Sequence, residues 1–351
     1  MAERVNSAVD RPPRYRVAIA GCHRMLSRDV AGHNWAAAFA AVPRAEIVAV
    51  FDKGTDTRAA FAACWGPLPA FDDYGTMLTT IRPDVLCLAT RQTQHAEQIE
   101  QAVQVGVRGI LCEKPLATSM GEVDRIVDTC RRSGVAFAFG LDRRWSPFYR
   151  NLVGELRAGI IGEVRTIVAF GLLNLVNHGC HWFDRVLDLA GDPEVAWVAG
   201  SVESLAGVPA SSNRHLDPSG SCQVQLANGV EAFVSWAGTG MAFDVVGSGG
   251  RLVIVNDGAE THLWTTGADG KTLLSRTLPA ARPAPAGPAA VADLLSALDE
   301  GGPTRCGLDC ARRACEIGFA VHQSDREGGR RITPADIDRD LRIASLPWGN
   351  E

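Results

Sequence analysis

The amino-acid sequence predicts an α/β protein in two parts: a parallel sheet covered by helices in residues 14–140, and an α+β region with a mostly antiparallel sheet in residues 141–351. In the first part, short apolar runs alternate with helical segments, which is typical of βαβ units. In the second part, strand-like runs are separated by turn sequences such as Ala227-Asn228-Gly229, which favours antiparallel pairing.

The first part contains five predicted strands and four predicted helices. The strands are apolar runs, and the helices are alanine-rich or carry apolar residues at helical spacing. The predicted strands are 16–20, 46–51, 85–89, 110–112 and 135–139, and the helices are 34–41, 57–64, 95–105 and 121–132.

The second part begins after Gly140, where the strict alternation stops. One strand is predicted at 164–172, and repeated strands are predicted between residues 197 and 264. A proline-alanine linker follows at 279–288. The predicted helices are 149–158, 179–190, 291–298 and 308–323.

The composition indicates a soluble globular protein and narrows the class of its partners. The net charge of -5 at pH 7 argues against a nucleic-acid partner. No apolar stretch reaches the roughly 20 residues that span a bilayer, and residues 1–14 lack the apolar core of a secretory signal. We therefore expect a cytoplasmic protein with no membrane partner.

Ten cysteines are scattered along the chain, several within apolar runs. This usage predicts reduced thiols of the cytoplasm. Cys306, Cys310 and Cys315 form a cluster with His322 beyond them, but the spacing is not that of a zinc site. No metal is expected.

A glycine turn after the first strand, with an acidic residue at the end of the second, is the fingerprint of a Rossmann dinucleotide-binding domain. Gly21 occupies the first glycine position, and Asp52 lies where a carboxylate accepts ribose hydroxyls. His23 replaces the second glycine. Gly32 takes the third position if the turn carries an insertion of about six residues. The predicted cofactor-binding turn comprises Gly21, Cys22, His23 and Gly32.

The acidic position also bears on the choice of cofactor. Asp52 favours NAD, since a carboxylate repels the 2′-phosphate of NADP. Lys53 and Arg58 lie close enough in sequence to leave NADP open. A degenerate glycine motif by itself also fits an ordinary strand-to-helix turn.

The tripeptide Glu113-Lys114-Pro115 directly follows a predicted buried strand. Only three lysines occur in the chain, so a lysine at a strand end stands out. The carboxyl ends of parallel strands are where open α/β sheets bind ligands, and lysine can hand over a proton. From the tripeptide alone, a surface ion pair between Glu113 and Lys114 is an equally good interpretation.

Further motifs share an order and spacing with this tripeptide. They are Thr90 followed by His95, the run from Gly140 to Trp145, the run Asn177-His178-Gly179-Cys180-His181, and the run from Val246 to Leu252. Together with the tripeptide they resemble the motifs of the glucose-fructose oxidoreductase, inositol dehydrogenase and rhizopine-catabolism (Gfo/Idh/MocA) family. The resemblance covers nearly the whole chain.

The resemblance implies a fold, an activity and an assembly. The fold is an N-terminal Rossmann dinucleotide-binding domain plus a C-terminal α+β domain with a large, mostly antiparallel open sheet. Most members transfer a hydride between NAD(P) and a secondary alcohol or ketone of a sugar, cyclitol or related polyol. Members often pair through the open sheet, so a homodimer or homotetramer is expected.

The resemblance also assigns roles to matching positions. His181 is the candidate general acid/base, Lys114 stabilises alkoxide charge, and Asn177 binds the substrate hydroxyl one helical turn before His181. The remaining expected cofactor-binding residues are Lys53, Thr90, Arg91, His95, Glu113, Lys114 and Arg144. The remaining expected substrate-binding residues are Asp142, Arg143, His178 and Trp236.

Four positions depart from the family pattern. His23, Arg91 and Gln92 replace glycine, proline and asparagine on the cofactor side, and Asn177 replaces aspartate on the catalytic side. Three hypotheses therefore follow: an NAD(P)-dependent dehydrogenase or reductase, an NAD-using glycosidase or epimerase without net redox, and a non-catalytic binding or regulatory protein. Retained Lys114 and His181 favour the first.

Overall fold

A six-stranded sheet forms the first part of the chain. The computed structural model describes residues 14–30, 34–209, 211–281 and 285–344. The strands are β1 (Tyr15–Ala20), β2 (Ala45–Phe51), β3 (Ala70–Phe71), β4 (Val85–Leu88), β5 (Gly109–Cys112) and β6 (Ala136–Phe139). All are parallel, in the order β3-β2-β1-β4-β5-β6. The predicted α/β fold class is confirmed.

Five helices connect these strands. They are α1 (Trp35–Ala40), α2 (Thr55–Trp65), α3 (Tyr74–Ile81), α4 (Gln92–Gln104) and α5 (Met120–Ser133). The sequence prediction missed β3 and α3. The strand β3 is only two residues long, and α3 contains a glycine and three threonines that weaken its helical signal. Its start is fixed by Asp73, whose side chain accepts the Thr76 N–H.

The sheet has its switch point between β1 and β4, because the chain winds outward from β1 in both directions. Ligands of open α/β sheets bind at the carboxyl ends of the strands beside such a point. Gly21 turns the chain there with a φ of +84°, and an added Cβ would lie 2.5 Å from the Ala89 carbonyl oxygen. Only glycine fits this close approach of two strand ends.

A second sheet of eight strands follows. The strands are β7 (Val164–Phe170), β8 (Val195–Val202), β9 (Gly220–Leu226), β10 (Glu231–Val234), β11 (Ala242–Gly247), β12 (Gly250–Val255), β13 (Glu260–Thr266) and β14 (Leu273–Leu278). Their order is β14-β13-β12-β11-β7-β10-β9-β8, and neighbours are antiparallel except β7 and β10. The large, mostly antiparallel sheet is therefore confirmed.

Helices cover one face of this sheet. They include α7 (Gly179–Leu189) and α9 (Leu308–Arg326), and α9 packs on β8, β9 and α7. The helix α6 (Pro147–Arg157) packs on α7. Every second residue of β9 is buried, as expected for a sheet with one covered face. The helix α7 is buried along its whole length. His181 lies in its first turn, and Asn177 lies two residues before its start.

The helix α8 (Ala286–Glu300) returns to the first sheet. It packs against α1, β5, β6 and the 3-10 segment Asp142–Trp145. Trp145 Nε1 donates to Asp293 at 3.0 Å, and Tyr15 donates to Asp299 at 2.6 Å. The division of the chain at residue 140 stays a prediction. The helix α8 shows, however, that a later segment of the chain packs on the first sheet.

All ten cysteines are free thiols, and nine of them are buried. Burial raises the pKa of most of them; for Cys222, for example, it raises the pKa to about 12. Within the described ranges, no three His, Cys, Asp or Glu side chains are grouped so that they could hold a metal ion. None of the helices in these ranges has the length and apolarity needed to cross a membrane.

Candidate active site

The strand end after β5 meets the start of α7. Lys114 Nζ donates to the Asn177 side-chain Oδ1 at 2.9 Å and to the Asn177 backbone oxygen at 3.2 Å. Lys114 is half-buried, so its ammonium group keeps access to solvent. The structure thus brings together two residues that are 63 positions apart, as the sequence motifs predicted.

Asp217 holds the backbone of this helix start in place. Its carboxylate accepts the N–H groups of Val176 at 2.9 Å and Asn177 at 2.8 Å. Asp217 has no exposed surface, and His322 Nε2 lies 3.5 Å from its Oδ1, the oxygen that accepts the Val176 N–H. Sequence reasoning missed Asp217, because it lies in a loop with no motif around it.

His181 lies in the first turn of α7 and is 6% exposed. Its Nδ1 is 3.4 Å from Arg143 Nη1. A guanidinium group has no acceptor, so Nδ1 is the acceptor in this contact. The contact holds the His181 ring beside Arg143.

Arg143 is itself fixed by Asp257. The guanidinium makes a bidentate contact, with Nε 2.9 Å from Oδ1 and Nη2 2.6 Å from Oδ2. The Tyr149 hydroxyl donates to the same carboxylate at 2.7 Å. Burial would lower the pKa of Arg143, but Asp257 outweighs it and raises that pKa above its ordinary value.

Asp257 lies in the turn between β12 and β13 with a left-handed φ of 56°. Neither Asp257 nor Tyr149 was anticipated as a site residue. The only local signal for Asp257 is its position in the turn sequence Asn256-Asp257-Gly258. Asp142, predicted to bind substrate, lies 3.6 Å from Arg143 Nη1, and its Oδ1 has no hydrogen-bond partner among the described residues.

Glu113 links the lysine to the first helix. Its Oε1 accepts the indole N–H of Trp35 at 2.6 Å, and its Oε2 accepts the backbone N–H of Lys114 at 3.0 Å. Glu113 is therefore a positioning group for Lys114 in this structure. Trp35, the first residue of α1, was not anticipated from the sequence.

The acidic residue after β2 has the geometry expected at the ribose end of a dinucleotide site. Asp52 Oδ2 accepts the Cys22 N–H at 3.0 Å, and Oδ1 accepts the Gly54 N–H at 2.9 Å. A carboxylate has about four acceptor positions, so Asp52 keeps capacity for ribose hydroxyls. Asp52 is half-buried beside the Gly21 turn, and its acceptor oxygens fit the ribose hydroxyls of NAD.

The predicted glycine turn is described only in part. His23 and Lys53 are exposed, and Gly32 lies outside the described residues. The Cys22 side chain has no exposed surface, and burial beside Asp52 raises the pKa of its thiol to about 12. Cys22 therefore holds Asp52 through its backbone N–H and through its thiol, whose Sγ lies 3.7 Å from Asp52 Oδ2.

The turn after β4 contains three of the predicted cofactor-binding residues. Thr90 is half-buried and its hydroxyl donates to Gln98 Oε1 at 2.5 Å, and Arg91 is exposed at the start of α4. His95 has no exposed surface, and its two ring nitrogens face the Leu116 oxygen at 3.0 Å and the Thr90 oxygen at 3.2 Å. Burial lowers the pKa of His95. The His95 ring is thus enclosed by backbone, and its contact with a cofactor stays a prediction.

Arg144 was also expected to bind cofactor, and the structure places it elsewhere. It is 5% exposed and contacts three aspartates at the far end of α7. Its nitrogens lie 2.8 Å from Asp184, 3.2 Å from Asp188 and 2.7 Å from Asp192. Its role is to tie the 3-10 segment Asp142–Trp145 to α7, because its donors are consumed by these carboxylates.

Two further predicted substrate-binding residues lie at the edge of the site. His178 is half-buried, and its N–H donates to the Asn174 side chain at 2.7 Å. Trp236 follows β10 and is 50% exposed. Both stay predictions.

Comparison with known proteins supports this architecture. Residues 15–141 match the family model GFO_IDH_MocA, described as an oxidoreductase family with an NAD-binding Rossmann fold. Over 43% of the chain and 48% of the relative, it is 26% identical to D-glucoside 3-dehydrogenase of Escherichia coli. Over 42% of the chain and 38% of the relative, it is 31% identical to D-apiose dehydrogenase of Paraburkholderia graminis. The chain thus spans about half or less of the length of these relatives.

The likeness extends further in three dimensions. A solved levoglucosan dehydrogenase in complex with NADH superposes with a TM-score of 0.77 at 17% identity. The match covers 93% of this chain and 100% of that one. At this identity the superposition shows the fold of both parts of the chain.

Proposed function

We propose that the chain is a member of the Gfo/Idh/MocA oxidoreductase family and that it is an NAD-dependent dehydrogenase or reductase. Its reaction moves a hydride between nicotinamide and a secondary alcohol or ketone of a sugar, cyclitol or related polyol. Two of the relatives named above are dehydrogenases of a D-glucoside and of D-apiose, which supports a sugar-like substrate.

The contact of Lys114 Nζ with Asn177 carries this proposal. It joins the end of β5, beside the switch point of the first sheet, to the start of α7, which bears His181. A cation there stabilises negative charge on a substrate oxygen during hydride transfer. The nicotinamide ring, when bound, supplies or takes the hydride at the reacting carbon.

The proton arrangement favours distinct roles for the two basic residues. In the reducing direction, His181 donates a hydrogen bond from Nε2 to the carbonyl oxygen. Lys114 gives a proton to that oxygen as the carbon gains a hydride, so its ammonium becomes an amine. In this proposal Lys114 therefore takes the general acid/base role that the resemblance gave to His181. Oxidation is the reverse. Arg143 and Asp257 act through His181, because they hold its ring.

Asp52 supports NAD over NADP in the proposal, since a carboxylate facing the ribose disfavours a 2′-phosphate. Arg58 lies near this site, but its Nη1 donates to the Asp52 backbone oxygen at 2.6 Å. Pairing of two copies through the uncovered face of the second sheet is also part of the proposal. Phe233 and Val168 lie side by side there, and Phe233 is 38% exposed.

Calorimetry and turnover together test this function. Purified protein is titrated with NAD⁺ and NADP⁺, and NADH formation is followed with D-glucosides, D-apiose and myo-inositol. We expect tighter binding of NAD⁺ and NADH formation with at least one of these compounds. Failure of both dinucleotides to bind at millimolar concentration would sink the proposal. NAD⁺ binding with no NADH formed would instead point to a relative without net redox.

A further inference from the structure

A cavity lies away from the candidate active site. Its volume is about 370 Å³, and it opens between α6, the carboxyl end of α7 and the loop before α9. This volume is within the usual range of small-molecule pockets. Its charged lining consists of Arg144, Arg150, Arg157, Arg305, Asp188 and Asp192.

Three of these arginines have no counter-ion in the part of the chain that the structure describes. Arg150 and Arg157 are seven residues apart, so they project from one face of α6, and Arg305 approaches from the loop. All three are exposed. Among the described residues, no hydrogen bond or ion pair is made by any of their guanidinium groups.

The floor of the cavity is already balanced in charge. Asp188 and Asp192 are paired with Arg144, Asp188 also lies 2.7 Å from Arg185, and Asp192 lies 3.8 Å from Arg313. The three rim arginines are therefore a positive surplus, in a chain whose net charge is -5. Such a surplus over a concave surface attracts an anion.

The cavity is separate from the predicted dinucleotide and substrate sites. Asp188 is seven residues beyond His181 on α7, which is about 10 Å along the helix axis. The loop with Arg305 lies beside β6, because Phe139 donates to the Cys306 oxygen at 2.7 Å. The turn of Gly21 follows β1, three strands away in the sheet.

We propose that this cavity binds a small, multiply charged oxyanion, a phosphate- or carboxylate-bearing metabolite, through Arg150, Arg157 and Arg305. The planar guanidinium matches both phosphate and carboxylate oxygens in bidentate contacts. Asn151, which also lines the cavity, adds a neutral donor. Asp188 and Asp192 at the floor stay paired with arginines when the anion binds. The ligand is therefore held by the three arginines at the rim.

Gly154 keeps the cavity open between the two arginines of α6. It lines the cavity, and an added Cβ would meet no atom within 4 Å. Glycine inside a helix is destabilising by roughly 0.5–1 kcal/mol relative to alanine, so its place here costs stability. A larger side chain at this position would fill the cavity without disturbing the helix.

Calorimetric titration with pyrophosphate and with citrate, at constant ionic strength set by chloride, tests the proposal. The two arms distinguish phosphate from carboxylate chemistry. Arg150→Gln, Arg157→Gln and Arg305→Gln should each weaken binding of the better anion by about tenfold or more. Gly154→Leu should abolish binding while all arginines remain. Arg132→Gln, which removes an exposed arginine at the end of α5, is the matched control.

Each outcome decides the matter. Binding that weakens in the three rim variants and in Gly154→Leu, but not in Arg132→Gln, supports the site. No binding of either anion, equal loss in Arg132→Gln, or unchanged binding in the triple rim variant would overturn it. NAD⁺ titration of the same variants should stay unchanged, which separates this site from the dinucleotide site and confirms that the variants fold.

Discussion

The two ends of α7 carry opposite kinds of charged site. At its start, Lys114, Asn177 and His181 form a sparse group in which Lys114 remains half-exposed. At its far end, Arg144 and Arg185 are nearly or fully buried among the three aspartates Asp184, Asp188 and Asp192. The charged groups at the start of α7 remain available to a substrate. Those at its far end pair with one another and hold neighbouring segments of the chain together.

Two consecutive arginines show the difference most directly. Arg143 points to Asp257 and His181, and Arg144 points to the aspartates at the other end of the same helix. They follow each other in a short 3-10 segment, so their side chains leave in different directions. Arg143 thus belongs to the candidate active site, whereas Arg144, the next residue in the same motif, stabilises the fold.

The largest expected effect separates these ends by activity. Lys114→Ala should lower kcat by about 10³- to 10⁴-fold, because it removes both the proton donor and the stabilising charge. Its melting temperature should stay near that of the parent, since Lys114 is only half-buried. Steady-state NADH kinetics and differential scanning calorimetry measure the two quantities. Lys271→Ala, in an exposed turn, is the control, and near-parental kcat for Lys114→Ala would refute the assignment.

The next largest effect distinguishes the two ends of α7 by their contribution to the free energy of unfolding. Arg144→Ala should lower the free energy of unfolding by about 3–5 kcal/mol, because it leaves buried carboxylates without a partner. Arg143→Ala should lower the free energy of unfolding by less, because Asp257 is half-buried and can be solvated. It should nevertheless lower kcat. Urea unfolding of both variants tests this order. Equal destabilisation would show that the two arginines do not differ in the proposed way.

The smallest expected effect concerns how the free energy of unfolding depends on pH through Asp192, at the far end of α7. Burial would raise the pKa of Asp192, but Arg144 outweighs it and lowers that pKa below its ordinary value of 3.8. The ionised carboxylate therefore stabilises the fold above pH 3.8, and this contribution is lost as the pH falls through the lowered pKa. Asp192→Asn should be less stable than the parent at pH 6, with a smaller difference near pH 3. Urea midpoints at both values measure it, and a constant difference would contradict the sign.

Much of the fold follows from the sequence, because strand and helix signals are local. The end of β5, the helix bearing His181 and the second sheet were all predicted from short runs and their order. The partners Asp217, Asp257, Tyr149 and Trp35 were not, since each reaches its site through tertiary packing from a distant segment. Likewise, nothing in the motif tells Arg143 from Arg144, because burial alone decides which of them keeps a free face.

The return of α8 to the first sheet bears on how the chain is made. During synthesis, residues 14–140 emerge first, but the helix that covers β5 and β6 is at residues 286–300. Part of one apolar face of the first sheet therefore stays uncovered until α8 is made, while all eight strands of the second sheet emerge from the ribosome. Its final closure is a contact of high sequence separation, which forms late in folding. Completion of the dinucleotide-binding half is thus timed by the synthesis of the other half.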